Sequence, residues 1–171
     1  MLQVKRIPEK TGFYLTGFAD AEGSFSVSFN NKKDDAIPWQ ILLCFKVLWR
    51  DKVILALFKR HLKCGTLRSG DDDVWHYEVN NFNAIQENII PFFRRFGFLS
   101  AKKKGEFSKF RKLAKLLQDE EHLTKEGLKK ILKLRAELNE VRVEKYSDSK
   151  IFHSMPLGKS SETICQADMK Q

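Results

Sequence analysis

The chain of 171 residues carries 31 Lys and Arg against 22 Asp and Glu, a formal net charge of +9. That length suits one domain around a single core, and the basic excess favours a polyanionic partner. No apolar run approaches the roughly 18 residues of a membrane span, and the start Met1 to Ile7 lacks the apolar core of a secretory signal. Cys44, Cys64 and Cys165 show no CxxC spacing, which argues against structural zinc or a disulfide framework and for a reducing compartment.

Thr11 to Phe25 reads as a helix that ends in two carboxylates and a glycine. Phe13, Gly17 and Ala21 recur on one side, and Tyr14, Leu15 and Phe18 line another, so this helix has two faces to bury. The side with Gly17 and Ala21 is nearly bare and lets a second backbone approach closely, as small-residue seams do between membrane helices. Gly23 is expected at a positive φ, ending the helix and turning the chain into a strand. Glu22 then sits at the negative end of the helix dipole, a poor place for a carboxylate unless a cation is bound there.

Residues 24 to 31 alternate Ser26, Ser28 and Asn30 against Phe25, Val27 and Phe29, the mark of a strand with one wet face and one core face. Past the polar turn 30–35, Trp39 to Val47 reads as the return strand, with Gln40, Leu42, Cys44 and Lys46 opposite Ile41, Leu43, Phe45 and Val47. Leu42 and Cys44 make this face less polar than that of the first strand. Asp51 caps a helix that runs to Lys63, with Val53, Leu57 and Leu62 among its apolar positions. Cys64 to Val79 reads as a hairpin around an acidic turn, with Leu67, Trp75, Tyr77 and Val79 on its buried face and Thr66, Arg68, His76 and Glu78 on the other.

Phe82 to Phe93 is predicted as an amphipathic helix with Pro91 near its end. Ser100 caps the next helix, from about Ala101 to Gln118, whose apolar stripe is Phe107, Phe110, Leu113, Ala114 and Leu117. Thr124 begins a third pattern through Leu128, Ile131, Leu132, Leu134 and Leu138, ending near Asn139. One domain is expected over residues 1–145, and residues 146–171 read as a tail, partly disordered.

Leu15-Thr-Gly-Phe-Ala-Asp-Ala-Glu-Gly23 resembles the nonapeptide of the LAGLIDADG homing endonucleases, with Thr at its second position and Glu as its last acid. The predicted order α-β-β-α-β-β-α followed by further C-terminal helices is similar to that family's core. The likeness runs over roughly residues 10 to 140. It takes in Lys63-Cys-Gly-Thr-Leu67, Ile89-Ile-Pro-Phe-Phe93 and the basic segment Leu99-Ser-Ala-Lys-Lys-Lys104. The resemblance implies an α+β fold with a four-stranded antiparallel sheet shaped as a saddle for DNA.

The same resemblance implies an activity: a site-specific, intron-encoded endonuclease that cuts both strands of a long pseudo-palindromic DNA site and leaves short 3′ overhangs. One motif per chain implies a homodimer, with Phe13, Thr16, Gly17, Asp20 and Ala21 at the seam. Glu22 is assigned as the ligand of Mg2+, with the Ala21 carbonyl beside it, because a hard cation takes one or two carboxylates and keeps several waters. Asp20 is assigned either to brace the helix end or to touch the metal's water shell. Lys102 takes the position of a lysine that reaches the scissile phosphate, with Lys103 the alternative if the register slips by one. Three cations in the first turn of a helix call for an anion nearby. The glutamine that the family often carries at the end of the second strand has Trp49 as its nearest counterpart, with Arg50 the candidate substitute.

DNA reading falls to the wet sheet face and its turn: Ser26, Ser28, Asn30, Lys32, Lys33, Gln40, Lys46, Arg50, Arg68, His76 and Glu78. The cationic run from Lys102 to Lys115 adds phosphate contacts. Two other readings use the same fold: an RNA-binding splicing maturase, and a DNA-binding protein that has lost catalysis. An organelle or a bacterial cytoplasm is the compartment that the family implies.

Overall fold

A computed structural model of the chain describes residues 2–31, 39–70, 73–138 and 151. The motif helix α1 (Glu9–Glu22) leads directly into β1 (Gly23–Asn31) and β2 (Trp39–Trp49). Then come α2 (Lys52–Leu62), β3 (Thr66–Ser69) and β4 (Trp75–Val79). Past the hairpin lie α3 (Phe82–Ala84), a π-helical turn Ile85–Ile89 and α4 (Ile90–Arg95), which follow one another without a break. The long α5 (Ala101–Gln118) and α6 (Lys125–Leu138) complete the described chain. The expected order of elements is therefore the order found.

The strands form one antiparallel sheet in the order β1-β2-β4-β3. Alternation decides its two faces. Phe25, Val27 and Phe29 are buried toward the helices, whereas Ser28 and Asn30 on the opposite face are exposed. Cross-strand partners share a face, so Ser24, Lys46, Glu78 and Thr66 form one row across the wet side, and Leu48, His76 and Arg68 another.

The core is aromatic. The Phe25 ring lies 4.8 Å from Phe110 and 5.1 Å from Phe45, centroid to centroid, with Phe93, Phe98 and Phe107 all within 5.8 Å. This one side chain joins β1 and β2 to α4, α5 and the bend between them. Edge-on and tilted aromatic pairs add to the burial of their area.

Helix ends follow the expected caps. Asp51 accepts from Val53 N–H at 2.8 Å and Ser100 Oγ accepts from Lys103 N–H at 3.2 Å. Pro91 lies inside a helix that continues to Arg95 rather than near its end. Proline has no N–H for the carbonyl four residues back, and Leu2 N–H reaches that Glu87 carbonyl at 3.0 Å while the backbone widens into the π turn. Gly23 corrects another expectation: its φ is −78°, ordinary extended backbone. Glycine is needed there for space, since a Cβ would come 2.6 Å from the Ala19 carbonyl oxygen. Val53, one of the apolar positions of α2, is 65% exposed.

The domain boundary near residue 145 lies outside the described residues, as do Lys32, Lys33, Cys165 and nearly all of the expected tail. Ile151, which is described, is fully buried in the core. Among the described residues no helix is long and apolar enough to cross a membrane.

One polar contact joins α1 to the start of α5. Asp20 Oδ2 accepts from Leu99 N–H at 3.2 Å and from Ser100 N–H at 3.0 Å, and Asp20 Oδ1 accepts from Ser100 Oγ. Burial pushes the Asp20 carboxyl up, but the Ser100 and Leu99 hydrogen bonds and the Lys103 charge outweigh it and hold the group below its ordinary 3.8.

Two outcomes are expected in urea denaturation. Phe25→Ala loses about 3–5 kcal/mol, the usual cost of truncating a fully enclosed phenylalanine. Asp20→Asn loses about 1 kcal/mol at neutral pH. Because the folded-state value is depressed, this contribution is complete above pH 3.8 and disappears as pH falls through the lowered value. The gap between wild type and Asp20→Asn therefore closes in acid, and a gap that widened there would contradict the assigned contacts.

Candidate active site

The two acids of the motif point to different tasks because they stand two residues apart, about 200° around a helix. Asp20 faces α5 with both oxygens occupied. These contacts tie it to the start of α5. Glu22, the last residue of α1, is exposed and has no hydrogen bond or ion pair among the described residues.

The lysine brought to Glu22's end of the helix is Lys103. Its Nζ donates to the Gly23 carbonyl at 2.7 Å and to Glu106 Oε2 at 2.7 Å, and only 7% of the residue is exposed. Lys102, the position first favoured, is exposed. The register could have been read from the sequence: Lys103, Phe107, Phe110 and Ala114 recur at helical spacing, and all four are buried on one stripe. A lysine at the head of an apolar stripe must reach a buried acceptor. Glu106 and Ser100, which hold Lys103 at its two ends, were not singled out as site residues.

Glu22 and the Ala21 carbonyl form an oxygen-only donor set, which suits a hard cation such as Mg2+. Among the described residues no three of His, Cys, Asp and Glu gather at one place. One copy of the chain thus offers a single free carboxylate here, within the one or two that Mg2+ takes while keeping water. The residues fit that ion, and they do not suit a softer, nitrogen- or sulfur-seeking metal.

The outer face of α1 is apolar and open. Phe13 is 56% and Tyr14 53% exposed, Ala21 is exposed, and a Cβ at Gly17 would meet nothing within 4 Å. Tyr14 belongs to this face rather than to the one expected. Thr16 does not belong to it: the residue is 3% exposed, on the inner side with Gly12 and Ala19. At Gly12 a Cβ would overlap the Phe96 ring, so the inner face also depends on a small residue.

On the wet sheet face Ser28, Asn30, Gln40, Arg50 and Arg68 are exposed, and Lys46, His76 and Glu78 are half-buried. Arg68 and Glu78 pair with each other at 2.9 Å, a contact exposed on its arginine side and of the kind that contributes little to stability. Ser26 is a correction, since only 7% of it is exposed at its place opposite Cys44. Trp49, the counterpart of the family's strand-end glutamine, is turned by alternation toward α1, edge-on to Phe18 at 5.3 Å. Leu48 takes the wet-face place beside it, opposite His76.

The LAGLIDADG endonuclease family profile matches residues 15–114. Over 130 residues the chain is 30% identical to the "Probable intron-encoded endonuclease 2" of Neurospora crassa, a match covering 74% of this chain and 28% of that one. The archaeal intron-encoded homing endonuclease I-Vdi141I, solved in complex with DNA, is 32% identical with a TM-score of 0.73, covering 84% of this chain and 92% of that one. The meganuclease I-SmaMI, solved on uncleaveable DNA, is 30% identical with a TM-score of 0.70, covering 77% of this chain and 46% of that one. Another I-SmaMI structure holds an uncleaved DNA target in the presence of calcium ions. The chain spans about a quarter of the length of the curated relatives it matches first. With its nonapeptide at the end of α1, its four-stranded sheet and these matches, the chain belongs to the LAGLIDADG endonuclease family.

Proposed function

We propose that the protein is a site-specific DNA endonuclease. Two copies bind a long pseudo-palindromic site and hydrolyse one phosphodiester in each strand, leaving short 3′ overhangs. The observation that carries this reading is the ammonium of Lys103 held 2.7 Å from the carbonyl of Gly23, the residue after the free carboxylate of Glu22. Cation and carboxylate thus converge on one end of α1, beside a sheet face lined with hydrogen-bonding side chains.

Glu22 and the Ala21 carbonyl are the groups that would hold Mg2+. When bound, that ion supplies an activated water and neutralises charge on the phosphate. Among the described residues Lys103 donates two of its three N–H groups, which leaves one. That N–H and its charge serve the developing negative charge on the scissile phosphate, a preorganised contribution of the kind that dominates such sites. Ser28, Asn30, Gln40 and Arg68 read base edges from the sheet, Arg68 exchanging Glu78 for a guanine. Lys46 and the exposed cations of α5 take phosphates, which makes binding fall steeply with salt.

The outer α1 face supports the homodimer: with Phe13, Tyr14, Gly17 and Ala21 open, a second α1 crossing at Gly17 covers them and brings a second Glu22 close to the first. Descent from a mobile intron is supported by the intron-encoded relatives, with an organelle or a bacterial cytoplasm as the compartment.

Selection of cleaved sequences from a randomised DNA library with Mg2+ supplies the target and tests the reading. On the selected site Glu22→Gln cuts at least about 100-fold more slowly than wild type, while DNA binding persists. Undiminished cutting by Glu22→Gln would remove Glu22 from the chemistry. Intact DNA together with enhanced intron splicing would move the protein to the maturases.

A further inference from the structure

Lys103 and Glu106 stand one turn apart on α5, a spacing at which ion pairs on exposed helices contribute little. This pair differs in its setting. The Lys103 side chain is 9% exposed and the Glu106 side chain 21%, and the same ammonium also serves the Gly23 carbonyl. A buried ammonium must be paired and hydrogen-bonded to be tolerated, and a lysine stem has four rotatable bonds to order before it can serve a fixed point. The Gly23 carbonyl alone supplies one anchor. Glu106 supplies the second, from the same helix turn.

We infer that Glu106 is a positioning residue that fixes the reach of Lys103 to the end of the motif helix. The inference rests on the endonuclease reading given above. Ser100 holds the Lys103 backbone through its N–H, and Glu106 holds the ammonium, so both ends of this side chain are tied before DNA arrives. With two of three N–H groups occupied, the remaining one has a defined direction. Glu106 touches neither DNA nor metal in this scheme; it acts through Lys103.

Two measurements on the full-length chain test this. In the first, the protein is acetylated with an amine-reactive ester and the modification of each lysine is followed by mass spectrometry. Lys103 is expected to react far more slowly than exposed Lys102 in wild type. In Glu106→Gln it reacts several-fold faster while Lys102 is unchanged. In the second, cleavage of the selected DNA site at saturating protein is expected to slow by about 10-fold or more in Glu106→Gln. DNA binding stays within about twofold of wild type, and Glu106→Asp recovers part of the rate, a pattern that mere loss of helix stability would not produce. Equal labelling of Lys103 in wild type and Glu106→Gln overturns the inference. So does release of Lys103 without slower cleavage. A wild-type protein that cuts no DNA overturns the endonuclease reading itself, a result separate from the labelling.

Discussion

A single carboxylate on α1 organises the candidate site. Asp20 collects hydrogen bonds from Leu99 and Ser100, beyond the whole sheet in sequence, and thereby helps to set where α5 begins. The same Ser100 caps α5 through the N–H of Lys103. If α5 began a turn earlier or rotated by one residue, Lys103 would leave the buried stripe it shares with Phe107 and Phe110, and its ammonium could not meet Gly23. Asp20 thus helps to position a lysine more than eighty positions along the chain.

This division of labour explains the form of the motif. A helix turns by about 100° per residue, so acids two apart cannot share a direction. One must turn inward to a helix start, where backbone N–H groups favour an anion, and the other outward at the helix end, where carbonyl oxygens favour a cation. Small residues do parallel work on the two sides. Gly12 admits the Phe96 ring on the inner face, and Gly17 leaves the outer face open. Two large aromatic residues exposed beside a bare glycine are costly for an isolated chain, and such patches mark contact surfaces.

Much of the architecture was legible because two periods are written plainly in the chain. Alternation in β1 and β2, the helical stripes of α5 and α6, and the caps at Asp51 and Ser100 all rest on local physics, and the structure follows them. Misplaced residues were those decided by packing rather than by periodicity. Gly23 reads as a turn glycine, yet the carbonyl of Ala19 is what excludes a side chain there. Thr16 and Tyr14 lie at the borders between two helix faces, where a small rotation of α1 against the core decides which side is covered. Ser26 has the pattern of a wet-face residue and is nevertheless closed off. Between Lys102 and Lys103, the two lysines that the sequence offers, the spacing of Lys103 from Phe107 already places it inward. Glu106 was legible only with its partner in view, because an acid three residues after a lysine is commonplace on helices.

The account stands or falls on whether two α1 helices meet at Gly17 with DNA in place. In a background with the native cysteines replaced by serine, Gly17→Cys puts a thiol where space is open. Mild oxidation of this variant on its selected DNA site should yield a covalent dimer of twice the 20.0 kDa chain, with little such product when the cysteine stands instead at exposed Ser28 of the sheet. A Gly17→Cys protein that binds the site yet stays monomeric under oxidation would contradict the shared seam.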